Sequence, residues 1–263
     1  MKTRRQAPAR ARVESRTGGD DGARGVAPED LRVVLWDIDG TLVTTARSGV
    51  FKDYTTPAVV KLFGTAGRLH DLQVSGMTDL QIVCEALREE GFTTEDVRAR
   101  GHEFGAHFLA ELERLTNDEL LYRALPGARA ALEAVAQHPR YLSALLTGNV
   151  RPAALWKMRA AGFADFFGLP GAFGEDSHDR RDLPALAAER INRHLGFDLA
   201  PAQFVVVGDT PNDISCARHF GARAVAVATG RAHPAAALSP FAPDVLLPDL
   251  TDTSAFLRAL DSL

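Results

Sequence analysis

The sequence predicts an α/β protein: a doubly wound parallel sheet with helices on both faces and a helical segment inserted after the first strand. Three observations carry this expectation. Short, nearly unbroken apolar runs recur along the chain, each ending in a polar or glycine-containing turn. Between them lie stretches with apolar residues three and four apart. One long segment, from Gly49 to Leu125, has helical periodicity but no strand-like run. Strands apolar on both sides imply burial on both faces, the condition of a parallel sheet covered by helices. Alternation of strand and helix is the pattern of a doubly wound domain.

In chain order, Arg32-Val33-Val34-Leu35-Trp36 is the first strand and ends at Asp37. The insert follows, clearest as helix from Gln81 to Leu87 and from Phe104 to Leu115, and it reads as a lid whose return hinge is Pro126-Gly127. Gly127 to Gln137 is the next helix, Tyr141 to Leu146 a strand ending at Thr147-Gly148-Asn149, and Ala153 to Ala161 a helix. Leu183 to His194 is helical by its spacing, and Phe204 to Val207 is a strand ending at Gly208-Asp209. Asn212 to Phe220 is again helix, and Ala222 to Ala228 and Val245 to Leu247 are the last strands. The core therefore comprises residues 31–48 and 126–263, the cap residues 49–125, and residues 1–30 a tail.

The tail alternates Arg4, Arg5, Arg10, Arg12, Arg16 and Arg24 with Ala, Gly and Pro. It has too little apolar surface to offset its ordering entropy, so disorder is expected. Glu14, Asp20, Asp21, Glu29 and Asp30 dilute its charge and weigh against a nucleic-acid-binding arm and against a transit peptide. The whole chain of 263 residues is 46% hydrophobic and 24% charged, which excludes a disordered or collagenous chain. A net charge of -4 gives no general attraction to nucleic acid or anionic membrane. Cys84 and Cys216, each inside an apolar helical pattern, read as reduced core thiols. No apolar run approaches the ~18 residues of a membrane span, and Met1-Lys2-Thr3-Arg4-Arg5 has no secretory h-region. A cytoplasmic location is the expectation.

The chemistry collects at strand ends, where open α/β sheets bind ligands. Asp37-Ile38-Asp39-Gly40-Thr41, Thr147-Gly148-Asn149 and Gly208-Asp209-Thr210-Pro211-Asn212-Asp213 all fall at such ends. Together they bring four carboxylates around one point, and such a cluster repels itself unless a cation sits among the oxygens. Hard oxygen donors without His or Cys at matching spacing point to Mg2+.

The run Leu35-Trp36-Asp37-Ile38-Asp39-Gly40-Thr41-Leu42 resembles the first signature of the haloacid dehalogenase superfamily of hydrolases. Thr147 fits the second signature and Gly208-Asp209-Thr210-Pro211-Asn212-Asp213 the fourth. The resemblance spans about Leu31 to Leu250 and implies a Rossmann-like core. It also implies that Asp37 is a nucleophile forming an aspartyl-phosphate and that Asp39 is the general acid and base. By the same resemblance, Thr147 with its neighbours Gly148 and Asn149, and Gly40 with Thr41, would hold the phosphoryl group. Asp37, the Asp39 carbonyl and Asp209 would ligate magnesium, with Asp213 supporting the site or joining it.

The third signature departs from the usual pattern. A lysine is expected before the helix leading to the fourth, but residues 175–184 contain none. Asp179-Arg180 with Leu183 resembles an Asp-Arg-x-x-Leu variant, which makes Arg180 the expected phosphate-facing cation and Arg181 the alternative. The presence of Asp39 favours phosphate esters over halides, since displacing halide needs no general acid. Lys52 and Lys61 of the lid read as solvated rather than imine-forming lysines. Val74-Ser75-Gly76-Met77-Thr78-Asp79 resembles a lid loop of phosphoglycolate-phosphatase-like members; Thr78 is then a candidate substrate contact, and otherwise Thr78 or Asp79 is a helix cap. The expected function is a magnesium-dependent phosphatase acting on a small phosphorylated metabolite. A sugar phosphomutase and a catalytically silent binding protein of the same fold are the alternatives.

Overall fold

The computed structural model describes residues 26–116 and 121–263. The arginine-rich stretch up to residue 25 lies outside the described residues. Within the expected tail, Pro28–Asp30 forms one 3-10 turn just before Leu31. Gln203 Nε2 ties that turn down by donating to the carbonyls of Pro28 at 2.8 Å and Leu31 at 3.0 Å.

The chain then runs β1 (Arg32–Trp36), β2 (Val43–Thr45), α1 (Val50–Phe63), α2 (Asp79–Leu87), α3 (Thr94–Ala99) and α4 (Gly101–Thr116). It continues with β3 (Tyr122–Ala124), α5 (Ala128–Gln137), β4 (Tyr141–Leu145), α6 (Arg151–Ala160) and α7 (Leu183–Leu195). Next come β5 (Phe204–Gly208), α8 (Pro211–Phe220), β6 (Arg223–Val227), α9 (Ala235–Leu238), β7 (Val245–Leu247) and α10 (Thr253–Asp261). The main sheet has the order β4-β1-β5-β6-β7, with every neighbouring pair parallel. This is the α/β, Rossmann-like doubly wound architecture that the sequence predicts.

Alternation along β1 explains the two layers. Val34 and Trp36 point into one apolar cluster, with Ala131 and Leu132 of α5, Ala153 and Met158 of α6, and Phe256 and Leu260 of α10. Val33 and Leu35 point into the other, with Leu183, Ala187 and Ile191 of α7 and Ile214 and Ala217 of α8. Successive strand residues face opposite sides, so a strand buried on both must be apolar throughout. The first cluster continues into the lid through Tyr54, Phe104 and Phe108, whose rings meet edge-on at 5.9 and 5.2 Å.

The lid segment differs from expectation in one respect. It ends in a strand: β3 pairs antiparallel with β2, Val43 opposite Ala124 and Thr45 opposite Tyr122. Three-residue strands are too short to show a period of two, which is why the sequence pattern misses them. The ribbon sets the lid's entry and exit side by side, beside the end of β1.

Candidate active site

Three neighbouring strands deliver the site. Trp36 is level with Leu145 on one side and Val207 on the other, so the segments beyond them emerge together at one sheet edge. The Asp37 N–H donates to the Val207 carbonyl at 3.0 Å, extending the ladder to the first aspartate. Asp37, Asp209 and Asp213 are all buried, and one carboxylate oxygen from each lies within 4.8 Å of the others.

Backbone requirements explain the residues around them. Gly40 has φ 86°, and a Cβ there would stand 2.3 Å from Asp209 Oδ2, so only glycine allows this approach. Thr41 Oγ1 donates to Asp209 Oδ1 at 3.2 Å, which gives Thr41 a place holding this aspartate. Asp213 closes the capping box of α8 with Thr210, whose N–H and hydroxyl donate to Asp213 Oδ2 at 3.0 and 2.7 Å. Its other oxygen takes Arg180 Nη2 at 2.5 Å, and the same nitrogen is 3.1 Å from Asp37 Oδ1.

Arg180 reaches this position from a 3-10 turn, Arg180–Asp182, capped by the Asp179 side chain. The turn sends the next residue outward: Arg181 pairs with Asp179 at 2.5 Å and its side chain is 56% exposed. Of the two adjacent arginines, Arg180 is therefore the one brought to the aspartates. Burial, and secondarily Asp213 and Asp39, push the Asp37 carboxyl up to about 7 despite the opposing pull of Arg180. Burial and the carboxylates of Asp37 and Asp213 likewise hold Asp209 well above the usual range. Three crowded oxygen donors beside one arginine are short of positive charge, and a hard divalent cation fits that donor set.

The second strand end forms its own network. The Thr147 hydroxyl accepts from Asn149 Nδ2 at 2.8 Å, and Asn149 Nδ2 also donates to Asp39 Oδ2 at 2.7 Å. Lys157 Nζ, from α6, donates to Asp39 Oδ2 at 2.7 Å and to Asn149 Oδ1 at 2.6 Å. Nothing in the sequence analysis singles out Lys157. Its signal is a lysine on the buried stripe of α6, in step with Ala153, Ala154 and Met158.

The lid closes over this edge through its loop before α2. Asn212 Nδ2 donates to the Gly76 carbonyl at 2.8 Å, and the Asp79 N–H donates to the Gly148 carbonyl at 2.7 Å. A Cβ on Gly148 would lie 2.2 Å from the Met77 carbonyl, so glycine is what lets the loop come this close. Thr78 is the N-cap of α2, its hydroxyl accepting the Gln81 N–H at 3.1 Å, and it does not line the cavity beneath the loop. Asp79, by contrast, is buried across the interface and accepts the Val150 N–H at 2.7 Å. Burial pushes its carboxyl up to about 7.

The cavity beneath the loop has a volume of about 230 Å³. Asp37, Asp39, Gly148, Asn149, Lys157 and Arg180 line its polar floor, and Val50, Phe51, Val74, Met77 and Ile82 of the lid its apolar roof. Gly40 and Asp209 line an adjoining groove with Asp39. Among the described residues no histidine or cysteine joins the acidic cluster. Cys84 and Cys216 are unpaired. No described helix is long and apolar enough to cross a membrane.

Residues 181–253 match the family model described as HAD-hydrolase-like. No curated protein matches the chain in sequence. Among solved structures, the chain is similar to a predicted phosphoglycolate phosphatase from Haemophilus somnus, at 20% identity and TM-score 0.57 over 87% of this chain and 98% of that one. It is also similar to CbbY from Rhodobacter sphaeroides in complex with phosphate, at 18% identity and TM-score 0.57 over 84% and 96% of the two chains. A β-phosphoglucomutase from Clostridium difficile matches with 13% identity and TM-score 0.63 over 88% and 98%. At these identities the structural matches establish the fold, and the family model adds the sequence of its last third. The described core and lid thus share the fold of these structures, and residues 181–253 match the HAD-hydrolase-like family in sequence.

Proposed function

We propose that this protein is a magnesium-dependent phosphatase that hydrolyses a small phosphate monoester through an aspartyl-phosphate on Asp37. The observation that carries the reading is the setting of Asp37: it lines the cavity beneath the lid loop, 3.1 Å from a buried arginine and clustered with two further buried aspartates.

In this reading the Asp37 carboxylate attacks phosphorus as the ester P–O bond breaks. The leaving oxygen takes a proton from Asp39, which lines the same cavity. Asp39 then takes a proton from water, the water oxygen bonds to phosphorus, and the P–O bond to Asp37 breaks to release phosphate. Arg180 offsets the negative charge shared by Asp37 and the phosphoryl group. Asp37, Asp209, the Asp39 carbonyl and, directly or through its neighbours, Asp213 would hold magnesium, which when bound supplies further positive charge to the phosphoryl oxygens. Gly148 and Asn149 form the phosphoryl-side wall, while Thr147 is buried behind them, outside the cavity lining, and its hydroxyl holds Asn149 Nδ2 at 2.8 Å.

The apolar lid roof supports a compact leaving group. A phosphomutase working on bisphosphates needs cations for a second phosphate. The cations lining the cavity, Arg180 and Lys157, are already engaged by Asp37, Asp213, Asp39 and Asn149. The phosphatase reading is therefore favoured. It is tested by measuring phosphate release from a panel of small phosphate esters with Mg2+, ranked by kcat/KM. Release at rates far above the Asp37→Asn variant supports it, and absence of release across the panel overturns it.

A further inference from the structure

Among the described residues, Lys157 is the one buried cation that the proposed chemistry leaves without a task. Its side chain is 1% exposed, although it belongs to a core helix with a solvated face. Burying an ammonium is costly unless it is paired and fully hydrogen-bonded. Lys157 meets that condition: Asp39 Oδ2 lies at 2.7 Å, Asn149 Oδ1 at 2.6 Å, and the Tyr122 ring centre at 4.8 Å. Burial works against its charge, but the Asp39 carboxylate and the surrounding groups outweigh it and keep the lysine protonated.

The geometry at Asp39 is asymmetric. Lys157 Nζ and Asn149 Nδ2 both donate to Oδ2, each at 2.7 Å. Asn149 in turn accepts from Lys157, so the three side chains form a closed ring. Oδ1 has no hydrogen-bond partner among the described residues, and the Asp39 side chain remains 41% exposed where it lines the cavity. Two donors converging on one oxygen fix the plane of the carboxyl group and leave the other oxygen to the ligand.

We propose that Lys157 is a positioning residue: with Asn149 it anchors Asp39 Oδ2 so that Oδ1 is presented to the leaving-group oxygen and then to the attacking water. The inference rests on the reading of Asp39 as proton donor. In the first step Asp39 enters protonated on Oδ1, Oδ2 remaining the acceptor of Lys157 and Asn149; the P–O bond to the leaving group breaks, the electron pair stays on that oxygen, and the proton passes to it from Oδ1. In the second step the proton of water returns to Oδ1. Lys157 neither gives nor receives a proton in either step. It differs in this from a charge that binds phosphate, and it acts only through Asp39.

The test compares two substrates by kcat/KM with Mg2+: a short alkyl phosphate, whose alkoxide needs a proton to leave, and p-nitrophenyl phosphate, whose phenolate does not. Lys157→Met is expected to lose about a hundredfold on the alkyl ester and less than about tenfold on the aryl ester. Lys157→Gln, which keeps an N–H donor, should recover part of the alkyl rate, and it carries the comparison if the Met variant folds poorly. Equal losses on the two substrates, or no loss on the alkyl ester, overturn the proposal. Asp39→Asn is run beside them. If it discriminates between the substrates and the Lys157 variants do not, the assignment of Lys157 fails alone. If Asp39→Asn itself shows no discrimination, the proton-donor reading fails and takes this inference with it.

Discussion

Arg180 Nη2 stands 3.1 Å from Asp37 Oδ1, with the two side chains only 5% and 7% exposed. In the proposed reaction, a guanidinium this close, and this far from water, would lower the cost of bringing an anionic phosphoryl group to the Asp37 carboxylate. Arg180→Ala should therefore lower kcat/KM by roughly two to three decades. Arg180→Lys should restore part of the loss, because a point charge can replace the fork only in part. Arg181→Ala should stay near the parent rate, since its partner Asp179 is on the surface turn. The three variants assayed together check the assignment, and a crippled Arg181→Ala would contradict it.

Asp37→Asn keeps the shape of the first aspartate and removes the charge that attacks phosphorus in the proposed reaction. Turnover should fall by several decades while the melting temperature stays close to that of the parent. Brief reaction with substrate, acid quench and mass measurement should show an added phosphoryl group on the parent chain and none on this variant.

The acidic cluster makes a prediction that does not depend on turnover. A cation that binds the folded protein and not the unfolded chain raises its melting temperature. Mg2+ should do so for the parent protein, and Asp209→Asn should abolish the shift, since Asp209 supplies one of the three clustered oxygens. Activity should disappear in EDTA and return with Mg2+, while Ca2+ should fail to restore it because its looser, larger coordination misplaces the reacting groups. A melting temperature indifferent to Mg2+ would count against the site.

The parts of this molecule that were legible in the sequence are those where local pattern and tertiary role coincide. β1, β4 and β5 are read correctly because a strand buried on both faces must be apolar throughout, as Val33 to Trp36 and Phe204 to Val207 are. The choice of Arg180 over Arg181 follows a motif, and the capped turn at Asp179 supplies its physical basis. The β2–β3 ribbon is invisible because its pairing joins residues on either side of the lid, and three residues carry no period. Lys157 goes unread because its partners, Asp39 and Asn149, come from other elements; only its misplacement on an apolar stripe marks it. The motif around Thr78 falls on the loop that closes over the sheet edge, where Thr78 caps α2 and Asp79 makes the contact with the core.

That contact carries a pH dependence. Asp79 sits at the start of a lid helix with its carboxylate on the Val150 N–H of the core, and burial raises it from 3.8 to about 7. The groups around it are Lys157, which favours the charged form, and Asp39 and Glu175, which oppose it. An acid raised on folding binds more protons in the folded state than in the unfolded chain between those two values. Its contribution to stability is therefore complete below about 4 and is lost as pH rises through about 7. Asp79→Asn keeps an acceptor for Val150 and cannot ionise, while the other buried acids remain in both proteins. The melting temperature of the parent minus that of the variant, followed in chelator from about pH 5.5 to 8.5, should thus fall with rising pH from 5.5 and level off above about 7. A difference that rises with pH would mean that Asp79 is stabilised as the carboxylate, and a flat one that it is not buried against the core in solution.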